Sequence, residues 1–146
     1  MPTASKLVGA LLFAALGFVA SVLALPMLEG LTVNPNTPQI NAVIGFCMGW
    51  FIAGPRAGGG FRDGMSNGVT TTIIGLLTVL VTHGTIFALR ASWRGRFRDP
   101  TDAMEAMVDF MLQSALRLVH PQEILLLGLG GIGIGLLLEF THSRAR

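Results

Sequence analysis

Apolar residues occupy this chain in four long blocks, and the polar stretches between them differ enough to be read one by one. Residues 7–25 carry no charge, with Lys6 before them and Pro26 after them. Val22-Leu23-Ala24 resembles a signal-peptide cleavage site, but the apolar run exceeds the usual h-region, so a retained span is expected over about residues 7–27. Ala10, Ala14, Gly17, Ser21 and Ala24 recur at helical spacing and give this span one face of small residues. A loop follows, with turn chemistry from Asn34-Pro35-Asn36 and Thr37-Pro38. A short second span is predicted over about residues 40–54, with Asn41, Gly45, Gly49 and Ala53 on a narrow face. Residues 54–68 read as a glycine-rich connector. The third span, about residues 69–89, carries His83 and several threonines, which can bond their own backbone inside a membrane. The fourth, about residues 121–140, opens on Pro121 and puts Gly128, Gly131 and Gly135 on one face, with Glu139 a turn further on.

Residues 90–120 break this pattern. Arg90, Arg94, Arg96 and Arg98 come first, interleaved with Trp93 and Phe97, rings that settle at a membrane–water interface. A helix with a marked start follows: Asp99 suits a cap, Pro100 the first helical position, Asp102 the positive first turn. Asp102, Glu105, Asp109, Gln113 and Arg117 then recur every three or four residues as one polar stripe, and apolar side chains cover much of the rest. An amphipathic helix over about residues 100–119, lying at the interface, is the prediction. The expected fold is an all-α membrane protein with four transmembrane helices plus an amphipathic interfacial helix before the last span, all in a single integral membrane domain over residues 1–146.

A five-span alternative makes residues 102–119 cross the bilayer. It must bury Asp102, Glu105, Asp109 and Arg117, at about 2.5–3.5 kcal/mol for each charge near the midplane. The four-span reading avoids that cost. With Lys6 cytoplasmic it places Arg56, Arg62, Arg144 and Arg146 in the cytoplasm and the four-arginine cluster outside. The five-span reading inverts the N-terminus and puts the cluster inside, as the positive-inside rule prefers.

Composition agrees with a bilayer environment. Of 146 residues, 51% are hydrophobic and 12% charged, against about a quarter charged in soluble domains. A net charge of +2, scattered along the chain, gives no reason to expect nucleic acid as a partner. The single cysteine, Cys47, excludes an intramolecular disulfide framework and a multi-thiol zinc site. The chain has no HExxH, nucleophile elbow, Walker motif or CxxCH. An enzyme is therefore not expected, and neither are a catalytic residue, a cofactor or a metal.

The candidate sites are polar groups in apolar surroundings. Arg90, Arg94, Arg96 and Arg98 offer the densest positive charge, for an anion or for lipid phosphates. Arg56 and Arg62 flank the glycine-rich stretch, where backbone N–H groups can cradle phosphate; without a GxxxxGK[ST] pattern, contact with lipid phosphates is the expected role. His83 is an intramembrane ionisable residue, a functional candidate on that ground, with bonding to a neighbouring helix as its plainer role. Glu139 is the second intramembrane candidate, expected to be a hydrated carboxylate at a helix end. Cys47 is expected to pack, because an apolar span disfavours its thiolate. Met104, Met107 and Met111 form a soft face for lipid or a partner helix, in preference to a Cu(I)-type ligand set. Gly17, Gly45, Gly49, Gly128, Gly131 and Gly135 are expected to pack helices closely.

The opening MPTASKLVGALLFAALGFVAS, the NAVIGFCMGW of the second block, GPRAGGG followed by SNGVT, and the basic tail stand in an order that resembles the TrgA family over essentially the whole length. The most specific part is Gly54, Arg56, Ala57, Gly58 and Gly60, followed by Ser66, Asn67, Gly68 and Thr70. The resemblance implies a small multi-pass protein of the bacterial inner (cytoplasmic) membrane, associated with tellurite resistance, with no catalytic motif to carry over. The expected function is a contribution to tellurite or oxyanion tolerance through the arginine-rich segment and the amphipathic helix. A small oligomeric transporter or channel, and an accessory or scaffold subunit of a membrane complex, are the alternatives. A polar stripe facing a closed interior favours transport; one facing water favours the accessory role. Expected partners are the lipid bilayer and either a second copy of the chain or a membrane partner protein.

Overall fold

The computed structural model describes residues 2–31 and 33–144, which form helices and loops with no strand among them. Arg146 of the basic tail lies outside the described residues. The helices are α1 (Pro2–Ala24), α2 (Thr37–Met48), α3 (Phe61–Trp93), α4 (Pro100–Leu118) and α5 (Pro121–Arg144). By length and composition three of them can cross a membrane: α1 with its 3-10 extension, α3 and α5. α2 is only 12 residues long, but a π turn at Gly49–Ala53 and a 3-10 turn at Gly54–Arg56 prolong it. The change of pitch falls just before Pro55, which has no N–H to donate and whose ring crowds the carbonyl one turn back.

Glycines set the helix spacing. α1 and α2 run antiparallel with their backbones nearly touching: a Cβ on Gly17 would lie 2.6 Å from the Asn41 carbonyl oxygen, and one on Gly45 or Gly49 would collide with the carbonyl of Phe13 or Gly9. α3 and α5 make a second antiparallel crossing, where Gly64 and Gly68 face Gly135 and Gly131. In lipid no apolar solvent effect drives helices together, so close backbone packing of this kind is a main source of association. α1 also packs on α5, and Phe13, Ala53, Ile134 and Leu138 form the buried cluster where these helices meet.

Two expectations about glycine change. Residues 61–68 are not connector but the first two turns of α3, since Gly64 and Gly68 serve close approach rather than turning. Gly128 does not pack: a Cβ there meets nothing within 4 Å. The tight face of α5 runs through Gly131 and Gly135 at four-residue spacing, which continues to Leu127 and leaves Gly128 rotated away.

α3, with 33 residues, is about 50 Å long at 1.5 Å per residue, well beyond a hydrocarbon core of about 30 Å. α4 packs on its C-terminal part. Gly84 accommodates Met107 and Met111, and the Phe87 and Phe110 rings stack with centroids 4.7 Å apart. At the other end of α4, the Arg117 guanidinium donates to the Glu29 carbonyl just past α1. Three faces result. Phe110 and Ser114 are buried, Met104, Val108, Leu112 and Leu116 form an exposed apolar stripe, and Asp102, Glu105, Asp109, Gln113 and Arg117 form an exposed polar one. Pro100 takes the first helical position as expected, and Asp99 has an extended cap backbone, but its side chain makes no capping bond.

Candidate functional site

The tight contacts leave a gap among the helices, beside α2 and α3. These two helices meet where Met48 lies against Gly75 and again where the His83 side chain reaches α2. Between and above these points a part-enclosed cleft of about 210 Å³ opens, walled by apolar residues such as Leu16, Ile44, Leu76, Val79 and Leu127. Its polar groups come from every helix: Ser21 of α1, Asn41 of α2, His83 and Arg90 of α3, Ser114 of α4 and Glu123 of α5.

At mid-depth a chain of hydrogen bonds crosses the cleft, and each bond fixes the direction of the next. The Ser21 hydroxyl donates to the Gly17 carbonyl, so its oxygen is free to accept from Asn41 Nδ2 at 2.7 Å. That orients the Asn41 amide with Oδ1 toward α3, where His83 Nε2–H donates to it at 2.8 Å. His83 therefore ties α3 to the α1–α2 pair. Asn41 is 8% exposed and Ser21 5% exposed, so breaking the chain strands polar groups away from water.

Arg90, Arg94 and Arg96 line the mouth of the same cleft, and Arg98 does not. All four are exposed at the end of α3 and in the loop after it. Gly95, with φ +67°, turns the chain so that Arg96 comes back toward the opening. Spacing along the sequence joined the four as one cluster; the fold separates them three to one.

Glu123 is the residue that sequence reasoning passed over. It reads as an ordinary first-turn carboxylate, favoured by the helix dipole, yet it is 2% exposed, lines the cleft, and its Oε1 has no hydrogen-bond partner among the described residues. The available signal was its position two and three turns before Gly130 and Ile134, on the face that α5 turns toward α1.

The other end of the bundle is closed. Glu139, expected as a hydrated carboxylate, is 7% exposed. It accepts the Gly58 backbone N–H at 2.9 and 3.0 Å and the Gly60 N–H at 3.1 Å. Gly58 and Gly60 have φ of +117° and +101°, which lets loop N–H groups two residues apart point at one anion. The glycine-rich loop is thus an anion cradle, filled by the chain's own carboxylate. Arg56 and Arg62 are exposed beside it. Asn67 Nδ2 donates to the Ala53 carbonyl at 2.9 Å, taking the place of the Ala57 N–H, which donates to the Gly54 carbonyl instead.

Four threonines of α3 donate back to carbonyls four residues earlier, namely Thr72, Thr78, Thr82 and Thr85. Cys47 is half-buried in α2. Met107 and Met111 pack on α3 and Met104 is exposed. Among the described residues no group of three or more His, Cys, Asp or Glu side chains is placed to hold a metal ion. Compared with family models, curated proteins and solved structures, the chain matches none.

Proposed function

We propose that this chain is a non-enzymatic, multi-pass protein of the bacterial inner membrane that holds an anionic group at the arginine mouth of its interhelix cleft. Through that site it contributes to oxyanion tolerance, tellurite being the oxyanion that the resemblance to TrgA proteins suggests. The observation carrying the reading is that Arg90, Arg94 and Arg96 line one cleft together with the hydrogen-bonded chain of Ser21, Asn41 and His83. Guanidinium forks suit an oxyanion, with two parallel donors each. In this reading α1, α2 with its extension, the first part of α3, and α5 cross the bilayer, and α4 lies along the interface. Support for that placement comes from the adjoining exposed apolar and polar stripes of α4, the arrangement an interfacial helix needs.

Binding is favoured over conduction by two features. The polar stripe of α4 faces outward rather than into an interior, and the glycine crossings and the Glu139 cradle close the far end of the bundle. Replacing Arg90, Arg94 and Arg96 together by lysine tests the site. Charge is kept and forked geometry is lost, so membrane level should match wild type while growth on tellurite falls toward that of a deletion strain. A lysine variant that protects fully at wild-type level overturns recognition by arginine.

A further inference from the structure

The cleft combines features that an oxyanion alone leaves unused. Its walls are apolar over most of their area and part-enclosed. Its volume of about 210 Å³ is below the roughly 300–1,000 Å³ of pockets that enclose a drug-sized ligand. A cleft of this size holds only part of a larger ligand. The cleft that the arginines line also holds Glu123, 2% exposed, with an oxygen that no group among the described residues bonds. A buried carboxylate oxygen without a donor is costly, and a cationic N–H from a ligand would meet both its charge and its open acceptor position.

We infer that the cleft binds one molecule of phosphatidylethanolamine, with its phosphate at Arg90, Arg94 and Arg96, its primary ammonium donating to Glu123 Oε1, and an acyl chain along the apolar walls. The inference rests on the reading of the arginines as an anion mouth and adds the identity of the anion's carrier. Charge complementarity selects among amphiphiles. A lipid with an uncharged head leaves Glu123 unpaired. A choline head carries the positive charge without an N–H to donate. An ammonium with three N–H groups on the same molecule as a phosphodiester meets both requirements. Access fits a lipid too, because the cleft is part-open rather than sealed.

The test uses the full chain, delipidated in mild detergent and titrated with phosphatidylethanolamine, phosphatidylcholine and phosphatidylglycerol of matched chains, with bound lipid read by native mass spectrometry. Wild type should prefer phosphatidylethanolamine over both others by about tenfold, the discrimination that one charge-assisted hydrogen bond gives. Glu123→Gln, close in shape, leaves a neutral acceptor in place of the charged one and should bring the three lipids within about twofold of one another by removing the charge assistance of that bond. Equal binding of phosphatidylethanolamine and phosphatidylcholine by wild type overturns the inference and needs no variant. A preference that survives in Glu123→Gln overturns it as well. Inorganic phosphate forms the free-anion arm: full displacement of lipid at millimolar phosphate overturns the inference and leaves a simple anion site. Replacement of Arg90, Arg94 and Arg96 by glutamine should weaken all three lipids. Unchanged lipid binding there instead sinks the anion mouth itself, so the two failures are told apart.

Discussion

A methyl group at Gly68 has no room. Built on the backbone, its carbon collides with the Gly131 carbonyl oxygen, lies 2.8 Å from that carbonyl carbon, and comes within 3.1 Å of the Gly135 nitrogen. Every one of these atoms is backbone, so no rotamer change relieves the contact and α3 and α5 must move apart. Overpacking costs about 1–3 kcal/mol, and rigid chain on both sides argues for the upper half of that range. Alanine regains about 0.5–1 kcal/mol of helix propensity over glycine. Gly68→Ala should therefore destabilise the protein by about 2 kcal/mol. Gly133 on the same pair of helices supplies the control, since a Cβ there meets nothing within 4 Å. Gly133→Ala keeps the propensity gain and should be more stable than wild type by about 0.5–1 kcal/mol. Two chemically identical changes should thus differ by about 3 kcal/mol in reversible unfolding in mixed micelles, followed by helical circular dichroism. Stabilities within about 0.5 kcal/mol of each other, the usual spread for surface substitutions, would refute the close α3–α5 crossing.

Three further outcomes are expected. With Cys47 replaced by alanine, single cysteines at Ser92 and Gln122 should label from the same side of intact membranes; labelling from opposite sides means α4 crosses. Glu139→Gln replaces a carboxylate that accepts three close N–H contacts with an amide whose NH₂ faces donors, and should cost about 1–3 kcal/mol, with faster hydrogen exchange at Gly58 and Gly60; unchanged exchange would dismiss the cradle. Asn41→Ala and His83→Ala should show a coupling of about 0.6–1.7 kcal/mol in a double-mutant cycle, and strict additivity would mean their hydrogen bond contributes nothing.

The apolar blocks made the helical fold legible, because hydropathy reports on solvent and the bilayer leaves few alternatives for a backbone. Small residues at four-residue spacing likewise announced close contacts at Gly45, Gly49, Gly131 and Gly135. What spacing does not encode is the partner. Gly64 and Gly68 looked like turn residues, since glycine serves a bend and a close approach equally well and only the facing helix decides. The same ambiguity hid Glu139: a carboxylate near a helix end looks hydrated until a loop far away in sequence folds over it. Glu123 was missed for the converse reason, as a first-turn acid satisfies a local rule so well that burial is not suspected. The arginine cluster was visible at once, but its division into three residues at the cleft and one outside depends on the turn at Gly95, which a count of charges ignores.

That division allows the most direct measurement. Two variants each lose three arginines to glutamine: one at Arg90, Arg94 and Arg96, which line the cleft, the other at Arg56, Arg62 and Arg98, which do not. Growth on tellurite is scored at matched membrane levels, between wild type and a deletion strain. The cleft account predicts that the first variant falls to the deletion limit and the second stays near wild type. Equal loss of tolerance in the two would make the arginines interchangeable surface charge and contradict the account.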